Sequence, residues 1–240
     1  MYANKVIAKK QPIQLQMNIQ ELEIFTPKLE EQAKFYSEVL ELTVLVKSNT
    51  TVSFKIGKSV LKMTYRENCS PYHYAINIPA NQQKEALKWL QKRVDILTYE
   101  GKSIQYFDFW NAYAIYFYDE DNNILELIAR KNLKNDSNQP FDKNALLEIC
   151  EIGIPTTNIN REYSILKEQT AIPIYSGSLE RFCAIGDSNG LFIAINKELK
   201  KEWFPTKDTP FSSDFNIRFS ENGISYQFTY EKENLKYVGH

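Results

Sequence analysis

Glu21–Val44, ELEIFTPKLEEQAKFYSEVLELTV, and Glu151–Ile174, EIGIPTTNINREYSILKEQTAIPI, align without a gap. They are identical at 21/151, 24/154, 26/156 and 38/168, which are Glu, Ile, Thr and Glu. They match apolar for apolar at Leu22/Ile152, Leu29/Ile159, Phe35/Ile165, Tyr36/Leu166, Leu42/Ile172 and Val44/Ile174. A repeat of this kind dictates architecture before any motif is weighed. Each copy also opens on a carboxylate in a strand that otherwise reads as buried, which aims that carboxylate at a pocket.

Working outward, Ile19–Phe25 alternates as a strand and Thr26-Pro27 is a helix entry. Leu29, Ala33, Tyr36 and Leu40 recur at helical spacing, which predicts a helix over 27–40, with strands at 43–48, 50–56 and 59–66. The pattern restarts at His73: HYAINIP ends in Pro79, a helix covers 82–93, and strands follow at 96–99, 103–108, 112–118 and 123–129. Residues 119–123, DEDNN, are turn-forming. A third unit has a strand at 148–154, a helix at 157–168 and strands near 172–175, 180–186 and 190–196. A fourth start, Asp214–Phe219, has no helix and ends with Ile224–Tyr230 and a tail. Residues 1–18 read as an irregular or strand-like arm, and the polar stretch 131–144 reads as a linker.

The chain has 240 residues, 43% hydrophobic and 25% charged, enough for one large domain or two smaller ones with ample core. A net charge of −1 gives no reason to expect a nucleic-acid or membrane-surface partner. Three cysteines at no metal-like spacing, with no signal peptide and no apolar run of membrane-spanning length, suit a cytoplasmic protein. Only two histidines occur, His73 and His240, so an internal metal site must rely on carboxylates.

Four β-α-β-β-β units, the last truncated, resemble the vicinal oxygen chelate superfamily, which includes glyoxalases, bleomycin- and fosfomycin-resistance proteins and extradiol dioxygenases. The likeness rests on the strand into helix 1, on Phe35-Tyr36 with Val39-Leu40, and on FWNAYAIYFYDEDNNILELI, residues 109–128. It implies an α+β fold of curved mixed sheets around a cavity. Residues 1–130 would form a full glyoxalase-like domain of two units, 131–144 a linker, and 145–240 a degenerate second domain.

In such a domain, first- and last-strand positions of each unit aim metal ligands into the cavity; here these are Glu21, Lys62, His73 and Glu126. Strand parity agrees: Glu21, Glu23 and Phe25 face away from Leu22 and Ile24, and His73 and Asn77 face away from Tyr74, Ile76 and Ile78. The resemblance therefore implies one divalent ion (Zn, Ni, Co, Mn or Fe) on Glu21, His73 and Glu126, with Glu21 and Glu126 as catalytic carboxylates. Lys62, Glu23, Phe25, Asn77, Phe109 and Trp110 would line the pocket. Lys62 departs from the family pattern, because a like charge at ~4 Å repels a cation by roughly 4 kcal/mol per unit charge at an effective dielectric of ~20.

Two functions follow as expectations. One is a metal-dependent lyase or isomerase acting on a small molecule; a two-histidine dioxygenase site is absent. The alternative is a metal-free binding or resistance protein that sequesters a small ligand. A cavity without any bound metal, a homodimer, and a second half with a purely structural role, its Glu151 a relic, belong to the same set of expectations.

Overall fold

The computed structural model describes residues 16–240, so all but the last three residues of the N-terminal arm lie outside the described residues. The first unit holds β1 (Met17–Thr26), α1 (Leu29–Lys34), β2 (Thr43–Lys47), β3 (Thr51–Ile56) and β4 (Ser59–Tyr65). The helix begins two residues later than expected, because the Thr26 hydroxyl accepts from the Lys28 backbone N–H (2.9 Å) and caps the loop instead. It ends in a wider π turn over Phe35–Val39.

The second unit holds β5 (His73–Ile78), α2 (Gln83–Leu90), β6 (Ile96–Leu97), β7 (Gln105–Phe107), β8 (Ala112–Tyr118) and β9 (Ile124–Arg130). The third holds β10 (Glu148–Thr156), α3 (Ile159–Gln169), β11 (Ile174–Ser178), β12 (Phe182–Asp187) and β13 (Gly190–Asn196). Asn158 caps α3, accepting from the Arg161 N–H at 3.0 Å. The last unit has no helix, as its sequence implies: β14 (Phe215–Glu221), β15 (Ile224–Glu231) and β16 (Asn234–Gly239). No helix among the described residues is long and apolar enough to cross a membrane.

The strands form two open mixed sheets. One runs β16-β15-β14-β1-β4-β3-β2; the other runs β11-β12-β13-β10-β5-β9-β8-β6, with β7 also on β8. Within each unit the first strand runs parallel to the last, setting Glu23 opposite Lys62, Ala75 opposite Glu126 and Gly153 opposite Ile193. Between units the junctions are antiparallel. The inter-unit pairs are β1 with β14 and β5 with β10. Unit one thus shares a sheet with unit four, and unit two with unit three.

Burial follows the register. In β1 the buried residues shift from Met17 and Ile19 to Leu22, Ile24 and Thr26, because a bulge between Ile19 and Glu21 moves the pleat by one residue. Strands β5 and β9 are buried on both faces, one against the helix-side core and the other under the pocket. The Ser59 hydroxyl ties the sheets together, donating to the Ile19 carbonyl (2.6 Å) and accepting from the Ile149 N–H (2.9 Å). At Gly57, with φ +50°, a side chain would collide with the Leu147 carbonyl. The turn at 119–123 is organised by buried Asp119, which accepts from the N–H groups of Asp121 and Asn123 (both 3.0 Å) and from the Tyr36 hydroxyl (2.8 Å).

Candidate functional site

The centre of the nine-stranded sheet carries a row of three residues. Ala75 on β5 lies between Glu126 on β9 and Glu151 on β10. Because Ala75 is small, both carboxylates can fold over it from either side. His73, one step along β5, completes the group. An imidazole nitrogen and one oxygen from each glutamate lie within 4.8 Å of one another, and all three residues are buried.

The hydrogen bonds define what each offers. His73 Nδ1 lies 3.0 Å from the Ile124 carbonyl, an acceptor, so Nδ1 carries the proton and donates. Nε2 therefore presents its lone pair towards Glu126 Oε2, 3.7 Å away. Burial, against the pull of the Ile124 carbonyl, lowers the imidazole pKa to about 4, so the ring is neutral near pH 7. Burial, and then the charge of Glu151, push the Glu126 carboxyl well above the ordinary carboxylate range. Tyr116, its cross-strand partner, and Arg130 act in the opposite direction. Glu151 is itself raised by burial but is held towards its charged form by Arg130, whose Nη2 donates to Glu151 Oε1.

These groups lie at the base of a cavity of about 400 Å3. Its walls are aromatic: Phe107 and Trp110 come from unit two, Phe182 from unit three, and Trp203 and Phe204 from the connector before β14. The Trp203 ring packs 4.9 Å from the His73 ring. Gly153 permits this approach, since a Cβ there would sit 2.9 Å from the indole. Lys200 and Asp108 lie among the lining residues as well. A larger groove of about 780 Å3 runs along residues 133–148, remote in composition from this chemistry and lined by none of the three convergent residues.

The structure brings together His73, Glu126, Phe109 and Trp110 from the expected set, with Phe109 almost fully exposed at the rim. The others lie elsewhere. Glu21 is on the seven-stranded sheet, 3.5 Å from Arg218, and cannot join His73. Glu23 and Lys62 form an ion pair there (3.0 Å), and Phe25 lies under the Arg66 guanidinium. The repulsion expected from Lys62 is accordingly absent from this cluster. Asn77 faces the pocket side of β5 but at its far end, donating to Glu148 Oε1 (3.0 Å). Glu151, expected to be a relic, lies beside His73 and Glu126, and the second half contributes Phe182, Trp203 and Phe204 to the pocket lining. The position equivalent in register to Lys62 and Glu126 is Ile193, whose side chain has no polar atom. Arg130, Tyr116, Lys200 and Trp203 were not singled out from sequence. A signal existed for one of them: Arg130 is a positive charge in the largely apolar strand ILELIAR, as Glu151 is a negative one in EICEIGI.

Residues 18–127 match the family model of the Glyoxalase/Bleomycin resistance protein/Dioxygenase superfamily. This region belongs to that superfamily. No curated protein sequence matches the chain. Among solved structures, a putative dioxygenase from Bacillus subtilis aligns at 13% identity and TM-score 0.56, over 88% of this chain and 84% of its own. A V278E glyoxalase I mutant from Zea mays aligns at 12% identity and TM-score 0.54, over 87% of this chain and 75% of its own. At such identities the likeness is one of fold, and it extends the glyoxalase architecture well past residue 127 into the second half.

Proposed function

We propose that the protein is a divalent-metal-dependent lyase or isomerase that binds a small molecule carrying adjacent oxygen atoms, with His73, Glu126 and Glu151 as the metal ligands. The observation that carries this is the chemistry of the three converging groups. A neutral imidazole lone pair and two carboxylates are acceptors, and nothing among the three donates unless Glu126 keeps its proton. A cation satisfies all of them, and one histidine with two carboxylates suits a first-row divalent ion. The Nδ1–H bond to Ile124 and the Arg130 contact to Glu151 have the character of outer supports that orient ligands. Ile193 leaves the fourth direction to water or substrate.

When bound, such an ion supplies Lewis-acid polarisation of substrate oxygen. The chain's own residues do the rest. Glu126, whose proton affinity is raised by burial, is positioned to take or give a proton at the base of the pocket. Arg130 keeps Glu151 ionised. Trp203 and Phe204 cover the base and reduce water access. Glu21, on the other sheet, has no part in this reading.

The test is metal content. Untagged protein analysed by mass spectrometry should carry about one equivalent of transition metal after reconstitution, and His73→Ala and Glu126→Gln should lose it while remaining folded. Metal-free wild type would sink the metal reading. A second reading, metal-free ligand binding, is favoured by the buried Arg130–Glu151 pair, because Arg130 already places a positive charge beside the carboxylates. It predicts ligand-induced thermal stabilisation with no metal present. Cys150 and Cys183 are buried free thiols, in keeping with a reducing cytoplasm. Sedimentation would decide between a homodimer and a monomer near 28.1 kDa.

A further inference from the structure

We propose that Lys200 makes this pocket selective for a carboxylate-bearing molecule with a flat apolar body, the anion held by the lysine at the mouth and the body lying against the aromatic walls. The proposal deepens the function given above and rests on the pocket being a small-molecule site; it does not require the metal.

Lys200 is the only lysine or arginine among the residues lining the cavity. It is half-buried, and its Nζ lies 5.3 Å from the Trp203 ring, the ring that also covers His73. Among the described residues its ammonium forms no ion pair, and its one hydrogen bond goes to the Glu202 carbonyl (2.6 Å). An ammonium has three N–H donors, so two remain for a ligand. Burial and the neighbouring Arg181 both disfavour its charge, which an incoming anion would restore.

At the base of the pocket the Glu151 charge is offset by its ion pair with Arg130. Asp108, the third acidic residue of the lining, accepts from the Tyr106 hydroxyl (3.4 Å) and makes no ion pair with Lys200. Phe204 packs edge-on against Phe107 (5.6 Å) and Tyr116 (5.7 Å), and Trp203 lies on His73. Such walls favour planar apolar groups over polyols or chains.

The experiment uses full-length protein, stripped of metal by chelation, titrated with benzoate, 2-hydroxybenzoate and cinnamate and with the matching neutral amides. Calorimetry gives affinities, and quenching of tryptophan emission reports occupancy near Trp203. Carboxylates are expected to bind at least about tenfold tighter than their amides, as a charge-assisted contact implies. Lys200→Met should remove that preference while leaving amide binding unchanged; Lys200→Arg should retain it, and Lys200→Glu should reverse it. Failure of every carboxylate to bind at millimolar concentration, equal binding of amides, or an unaltered preference in Lys200→Met would each overturn the proposal. Metal content, measured on the same preparation before chelation, keeps this result separate from the fate of the metal reading.

Discussion

Arg130 and Glu151 come from different repeat units, yet they form an ion pair in which each residue is at least 98% buried. Arg130 Nε and Nη1 find no further hydrogen-bond partner among the described residues. The pair therefore carries an incompletely offset desolvation cost. Arg130→Met should leave a charged Glu151 stranded and destabilise the fold by about 3–5 kcal/mol. The double variant Arg130→Met, Glu151→Leu should recover most of that loss. Urea unfolding of the wild type, both singles and the double measures it; a single variant as stable as the wild type would show that the pair has no structural weight.

The positions of Glu21 and Glu151 give a direct contrast. Glu151→Gln should abolish metal retention, whereas Glu21→Gln should leave it unchanged, because Glu21 is on the other sheet beside Arg218. Metal stoichiometry of the two purified variants decides the matter. Loss in Glu21→Gln alone would mean that units one and two, rather than two and three, build the site.

Two buried groups give the metal-free protein opposing pH dependences. Burial lowers His73 from 6.5 to about 4 and raises Asp119 from 3.8 to about 6. For His73 the unfolded chain binds the extra proton. Its contribution is complete above pH 6.5 and is lost as pH falls through 4, by roughly 3 kcal/mol. For Asp119 the native state binds the extra proton, so its contribution is complete below 3.8 and is lost, by a similar rough 3 kcal/mol, as pH rises through 6. Stability profiles taken relative to wild type should therefore tilt in opposite directions for His73→Gln and Asp119→Asn between pH 4 and 6.5. Parallel profiles would refute the assignment.

Gly153 admits Trp203 to the floor of the pocket. Gly153→Ala places a methyl within 2.9 Å of the indole and should cost about 1–3 kcal/mol by overpacking. It should also shift tryptophan emission to the red as Trp203 moves off His73. Trp203→Leu in the same background should relieve the cost. Unchanged emission and melting temperature in Gly153→Ala would show that the indole has room to spare.

Much of this was legible from local pattern. The alternation of Leu22 and Ile24, the helical spacing of Leu29, Ala33 and Tyr36, and the turn at 119–123 locate most elements within a few residues, because they report short-range backbone preference. His73 and Glu126 were named as site candidates by the family resemblance, with strand parity in agreement, and both lie in strands buried on both faces. Lys200 and Trp203 were not, since they lie in an irregular connector with no period to read.

The one-dimensional pattern settles that four related units exist and which face of each strand is apolar. Only the tertiary structure decides which units share a sheet. Ladder hydrogen bonds join backbone to backbone and are indifferent to side-chain identity, so β5 could in principle meet β1 or β10 with equal local satisfaction. Packing of the whole chain selects β10. That choice moves Glu151 beside His73 and Glu126, retires Glu21 and Lys62 to the opposite sheet, and builds the pocket between units two and three.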